Sequence, residues 1–126
     1  MGGRDAGSAA AEFVMVAALL TVLTLGVLQL GAALLVRNTV LDAAAEGARF
    51  GALADNSPGD GVTRTRELIS TAIGPDYAGD VRAATGEWMG HPAITVTVRT
   101  RLPIIGLFGV GGGLEVAGHA ARETVG

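Results

Sequence analysis

The sequence contains no cysteine and no lysine. Without cysteine it has no disulfide framework, no thiolate zinc site and no thiol nucleophile. Without lysine it has no P-loop lysine, no Schiff-base amine and no lysine general base. Aromatic residues are scarce at 4%, charged residues make up only 17%, and all nine basic residues are arginine. The net charge of −3 lacks the basic footprint of a nucleic-acid-binding protein. These deficits disfavour most enzymes. What the 126 residues hold in excess is small and apolar: 49% hydrophobic, 20 glycines, and a mean hydropathy of +0.46. A chain this short makes at most one ordinary domain. So high a hydropathy with so little charge points to apolar residues gathered in one segment rather than spread through a core.

That segment runs from Phe13 to Val36, 24 uncharged residues between Glu12 and Arg37. As a helix it spans about 36 Å, against a hydrocarbon core of roughly 30 Å. Its polar members are Thr21, Thr24 and Gln29, and a threonine hydroxyl can bond back to its own helix. A buried globular helix is the alternative, but the 90 residues that follow it are too few to enclose an all-apolar rod of this length. A secretory signal has an apolar region of about 7–15 residues followed by a small-x-small cleavage site. Here the run ends in Leu34-Leu35-Val36-Arg37, and the nearest such site, Ala52-Leu53-Ala54, lies beyond Asp42, Glu46 and Arg49. The segment therefore reads as a retained transmembrane helix. Arg4 on one side and Arg37 and Arg49 on the other leave its orientation undecided by charge.

The chain enters this helix through Gly7-Ser8-Ala9-Ala10-Ala11-Glu12-Phe13. Glu12 has two readings. One is a solvated boundary carboxylate that favours the helix N-terminus. The other is a carboxylate that needs a cation in the membrane plane, since an acidic side chain at the bilayer centre costs about 2.5–3.5 kcal/mol. A glycine, four small residues, Glu-Phe and an apolar helix together resemble the processing site of type IV prepilins. The resemblance implies cleavage by a membrane-embedded prepilin peptidase between Gly7 and Ser8. Met1–Gly7 would then be the leader, Ser8 the new N-terminus and Glu12 its fifth residue. The new α-ammonium lies one helical turn from the carboxylate, and neighbouring subunits can pair the two charges in a low-dielectric bundle.

Past the apolar run, Val40, Leu41, Ala44, Ala45, Ala48 and Ala52 recur at helical spacing, which predicts continuation to Ala54. Glu46 and Arg49 are spaced to pair. Gly47 and Gly51 form a small-xxx-small pair that permits close backbone approach, the alternative being plain alanine and glycine bias. Together with the Gly7-x4-Glu12-Phe13 entry, the string Ala45-Glu46-Gly47-Ala48-Arg49 narrows the resemblance to the TadE-like proteins of Tad (Flp) pilus systems, over residues 7–54.

The C-terminal part is expected to be a small α/β domain. Asp55 to Gly61 reads as a loop, and Thr63 to Ile73 as a short helix with Leu68, Ile69, Ala72 and Ile73 on one face. Val81–Trp88, Ala93–Leu102 and Leu114–Thr124 read as strands, the second alternating Ile94, Val96 and Val98 with polar residues. Ile104 to Gly113 reads as an apolar, glycine-rich loop. It lacks a Walker lysine, and Leu114 stands at the last glycine position of a dinucleotide fingerprint. Ile104, Ile105, Leu107 and Phe108 have the alternative of touching a neighbour or the membrane surface. Tyr77 and Trp88 are expected to pack inside the domain. His91 and His119 lack a third ligand at metal spacing, and no nucleophile–base constellation is present.

The expected architecture is α+β: a long N-terminal transmembrane helix with a small antiparallel sheet and one short helix on its distal half. The divisions are a leader over 1–7, a long helix over 8–54 and an extracytoplasmic domain over 55–126. The resemblance implies a structural protein rather than an enzyme, a TadE-like minor pilin or pseudopilin of the cytoplasmic membrane and pilus. Gly7 and Ser8 are its processing site, Glu12 and Phe13 its assembly residues, and Gly47 and Gly51 its helix-packing residues. Its partners are the membrane, prepilin peptidase, other pilin or pseudopilin subunits and the Tad secretion machinery. No cofactor, metal, nucleic acid or small-molecule substrate is implied. The alternative is a single-pass, membrane-anchored accessory or binding domain that enters no pilus, with a soluble enzyme the least supported reading.

Overall fold

The computed structural model describes residues 2–103 and 113–122. The apolar run and both its flanks form one helix, α1 (Gly2–Gly51), 50 residues long and therefore about 75 Å from end to end. It contains no proline, and its Ala, Leu and Met content favours the helix. Within the apolar run, Thr21 donates its hydroxyl proton to the Ala17 carbonyl at 2.8 Å, so this polar group is satisfied without a partner from outside the helix. The helix begins upstream of Gly7 and ends three residues short of Ala54. At its end the Asn56 side-chain amide donates to the Phe50 carbonyl at 2.8 Å, which takes up one of the unpaired carbonyls of the last turn.

The second helix, α2 (Pro58–Ala72), starts five residues earlier than its apolar pattern suggests. Ser57 is its N-cap. The Ser57 hydroxyl accepts the Asp60 N–H at 3.4 Å, and the Asp60 carboxylate accepts the Ser57 N–H at 2.7 Å. This is a capping box, with Pro58 where its fixed φ suits the first turn. Residues read as loop breakers are thus the start signal. A 3-10 turn, Pro75–Ala78, follows through Gly74 at φ 112°.

Three strands complete the fold: β1 (Asp80–Trp88), β2 (His91–Arg101) and β3 (Gly113–Ala121), antiparallel in the order β1-β2-β3. Met89 and Gly90, at φ 54° and 80°, make a two-residue turn between β1 and β2, the kind that matches the twist of a hairpin. The expected loop from Ile104 to Gly113 lies outside the described residues over 104–112, so neither its form nor its suggested contacts are placed. Thr124, the expected end of the last strand, also lies outside.

Alternation sets the faces of the sheet. Val81 pairs with Val98 and Val98 with Val116, and these point inward with Ile94, Val96 and Ala120, all buried. Both helices cover this one face, α1 over β2 and β3 and α2 over β1. α1 contributes Val36, Val40, Ala44 and Ala48, with Ala52 just past its end, and α2 contributes Ile69. Leu68 and Ile73 are half-buried, but Ala72, expected on the apolar face, is exposed. The most buried line on α2 is instead Gly61, Thr65 and Ile69.

Trp88 also departs from expectation. It is 43% exposed, because the parity that turns Val81 inward turns Trp88 outward. There it stacks on His119, with ring centroids 5.5 Å apart and planes within 7°. His119 Nδ1 and Thr95 Oγ1 are hydrogen-bonded at 2.9 Å on the same face. Tyr77 is half-buried against the core.

The sheet approaches α1 most closely at Gly118, where a Cβ would collide with the backbone of Ala44 and Ala45. Gly118→Val tests this contact. Valine is the better strand former, yet overpacking here is expected to cost about 1–3 kcal/mol, read as a lowered thermal midpoint of the sheet's circular-dichroism signal.

Candidate functional site

Gly7, Ser8, Glu12 and Phe13 lie on the first turns of α1, where every side chain from Asp5 to Val16 is exposed. Phe13 is 75% exposed, and a Cβ on Gly7 would meet nothing within 4 Å. Ser8 and Glu12 are four residues apart, so they share one face with a rise of about 6 Å between them. Among the described residues Glu12 makes no ion pair. From Phe13 to Gly31 the circumference of the helix is almost wholly apolar and mostly exposed, including Leu19, Leu23, Val27 and Leu30. Its most apolar 18-residue window has 0% of its residues buried. Such a surface needs lipid or other helices around it.

Gly47 and Gly51 sit about 50 Å further along the same helix, and the structure does not bring them near Glu12. They face α2. A Cβ on Gly47 would collide with the Thr65 hydroxyl and stand 2.8 Å from the Gly61 carbonyl oxygen; one on Gly51 would lie 3.1 Å from the Ser57 carbonyl. Gly61 answers from α2, where a Cβ would stand 2.8 Å from the Gly47 carbonyl. The Thr65 hydroxyl donates to the Gly61 carbonyl at 2.8 Å and lies 3.4 Å from the Ala43 carbonyl of α1. The partner of the small-xxx-small pair is therefore α2 of the same chain.

Sequence reasoning missed Gly61 because it placed this residue in a loop. Once the Ser57 capping signal starts α2, Gly61, Thr65 and Ile69 fall four residues apart on one face. Gly118 falls within the expected strand Leu114–Thr124, and nothing in the sequence marks it as touching helix backbone. On α1, Glu46 and Arg49 pair at 2.9 Å. Both are substantially exposed, so this pair adds little. No group of three His, Cys, Asp or Glu side chains converges among the described residues.

Residues 7–49 match the family model described as TadE-like protein. This segment is TadE-like. The match opens on the glycine of the Gly7-x4-Glu12-Phe13 entry and closes on Arg49 of the Ala45–Arg49 string, so it covers most of α1 and none of the sheet. Searches of characterised proteins and of solved structures gave no match to the chain. The match covers 43 of the 126 residues, and the long apolar helix agrees with membrane anchoring.

The α1–α2 contact separates two glycines that sequence alone treats as equivalent. Gly61→Ala is expected to destabilise the domain by about 1–3 kcal/mol through the clash with Gly47. Gly59→Ala, whose Cβ would meet only the Ser57 hydroxyl at 3.6 Å, is expected to be neutral or stabilising by up to about 1 kcal/mol through helix propensity. Chemical denaturation of the two variants in the same detergent checks the difference.

Proposed function

We propose that the protein is a minor pilin or pseudopilin of a Tad pilus, inserted as a precursor and trimmed by prepilin peptidase between Gly7 and Ser8. One observation carries the reading. The Gly7-x4-Glu12-Phe13 entry stands exposed at the start of an unbroken, uncovered apolar helix whose sequence is TadE-like.

In this reading α1 has two roles. Before assembly it holds the subunit in the cytoplasmic membrane with the sheet domain outside. During assembly its uncovered apolar circumference exchanges lipid for the helices of neighbouring subunits. Loss of the leader leaves an α-ammonium on Ser8, and Glu12 lies one turn away on the same helix face. Within one subunit these opposite charges lie along the axis; between subunits the carboxylate of one meets the ammonium of the next. A pair formed away from water is favourable only when both charges are present, because a single unpaired charge there is costly. Glu12 would therefore select subunits that have been trimmed and seated at the right height. The sheet domain, carried by Gly47, Gly51 and Gly118 against its own helices, travels with α1 as the exposed part of the subunit.

Intact-mass spectrometry of the protein from cells with active prepilin peptidase tests the first step. A chain beginning at Ser8 is expected. A chain that keeps Met1–Gly7 overturns the pilin reading in favour of a membrane-anchored domain outside the pilus. Glu12→Ala is expected to be cleaved normally and then lost from sheared pili. Its incorporation at the native level would remove the role given to the carboxylate.

A further inference from the structure

The helix acts as a ruler for the height of the domain above the membrane. From Phe13 to Ala32 about 20 residues of α1 lack full cover, which is about 30 Å of helix and equals the thickness of a hydrocarbon core. The first buried residue is Ala33 at 7% exposure, followed by Val36 and Val40. The domain thus begins to cover α1 before the charged boundary at Arg37, within the last turns of the apolar run.

The strand direction tells which end of the domain lies there. Gly118 meets α1 at Ala44 and Ala45, and His119 to Ala121 share a groove with Arg49, Ala52 and Leu53. β3 therefore runs along α1 in the same sense. Counting back from Gly118 to Gly113 moves about 16 Å along the strand, equivalent to about 11 helical residues. That brings the start of β3 level with Ala33, the residue where cover begins. Arg101 pairs with Gly113, so the end of β2 lies at the same level. Arg101 in turn brings in the 3-10 turn: its guanidinium lies 5.6 Å over the Tyr77 ring and 3.9 Å from the Asp76 carboxylate.

The chemistry of this rim suits a bilayer boundary. Tyr77, Leu102, Pro103 and Leu114 are half-buried, each leaving apolar surface open. The Arg101 side chain is 68% exposed. Tyrosine and arginine combine apolar bodies with polar tips, the composition enriched at the headgroup level. The three acids nearest the rim carry their own counter-ions, Asp76 with Arg101, Glu115 with Arg99 at 3.3 Å and Asp80 with Arg82 at 3.1 Å. Trp88 and Met89 occupy the opposite end of the sheet, roughly 30 Å from Arg101 along the length of β2.

We propose that this rim, formed by the 3-10 turn, the end of β2 and the start of β3, seats on the headgroup layer of the phospholipid bilayer that α1 spans. Tyr77 and Arg101 occupy the interfacial zone. The seat fixes the domain upright on the membrane and holds the hairpin of Trp88 and Met89 at its far end. It rests on α1 being a membrane helix, and one arm of the test addresses that separately.

Trp88 is the sole tryptophan, which makes depth measurable in the full-length chain reconstituted in phosphatidylcholine–phosphatidylglycerol vesicles. Native Trp88 serves as the distal probe, Trp88→Phe with Tyr77→Trp as the rim probe, and Trp88→Phe with Leu23→Trp as the helix probe. Headgroup-spin-labelled phosphatidylcholine is expected to quench the rim probe and leave native Trp88 at full intensity. Acyl-chain-brominated phosphatidylcholine is expected to quench the helix probe. A rim probe as bright as native Trp88, alongside a quenched helix probe, overturns the seat and leaves the membrane helix standing. An unquenched helix probe overturns both. Should Tyr77→Trp not fold, the cysteine-free background allows Pro103→Cys and Met89→Cys, each labelled with an environment-sensitive dye. A blue shift on reconstitution at position 103 but not at 89 supports the seat, and equal spectra at both overturn it.

Discussion

The sheet domain depends on how closely it can approach the backbone of α1. Three short strands and one 15-residue helix cannot bury a core by themselves, so the missing layer has to come from α1. That layer is thin because Gly118 lies against the backbone of Ala44 and Ala45, while Gly47 and Gly51 lie against Gly61. Any larger residue at these points would hold the layers apart and open the small core formed by Val96, Val98, Ile94 and Ile69. The five ion pairs among the described residues all involve exposed side chains, so packing rather than charge holds the domain together.

This arrangement changes the meaning of apolar along α1. In its first part the apolar residues are large and face outward all round: Phe13, Leu19, Leu23, Val27. In its second part they shrink to Ala43, Ala44 and Ala48, with Gly47 and Gly51 among them. Large side chains suit a solvent of lipid tails or neighbouring helices. Small ones suit a partner whose own backbone must come close. One helix thus passes from an outer solvent to an inner one without a break, and the change in side-chain size marks where.

Much of this was legible in the linear pattern. The length of the apolar run and the alternation of Ile94, Val96 and Val98 place the long helix and the central strand, and with them the α+β class. The start of α2 was hidden because Pro58, Gly59 and Gly61 count as breakers until Ser57 and Asp60 are seen as a capping box. Trp88 was drawn inward by its hydrophobicity, although the parity set by Val81 already points it outward. Gly118 carried no signal, since a strand glycine against a helix looks the same in sequence as one in open space. The candidate site divides in the same way. Gly7, Ser8 and Glu12 are legible as a motif because their signal lies in residue type and spacing rather than in packing. In the proposed reading their packing partners belong to other chains, and within this chain they stand exposed. Gly47 and Gly51 were legible as a place of close approach, whereas the element that approaches depended on finding α2.

The unbroken course of α1 has a mechanical consequence. No proline and no gap in the helix separates Glu12 from Ala44, and the sheet is locked to the helix by backbone contact rather than by a linker. Any twist of the helix about its long axis therefore reappears as the same angle of the whole sheet. A turn of α1 by one residue's worth of helix, about 100°, would swing the Trp88–His119 face to a different compass bearing. The azimuth at which the N-terminal turns are gripped by their surroundings would thus decide which way the outer face of the sheet looks.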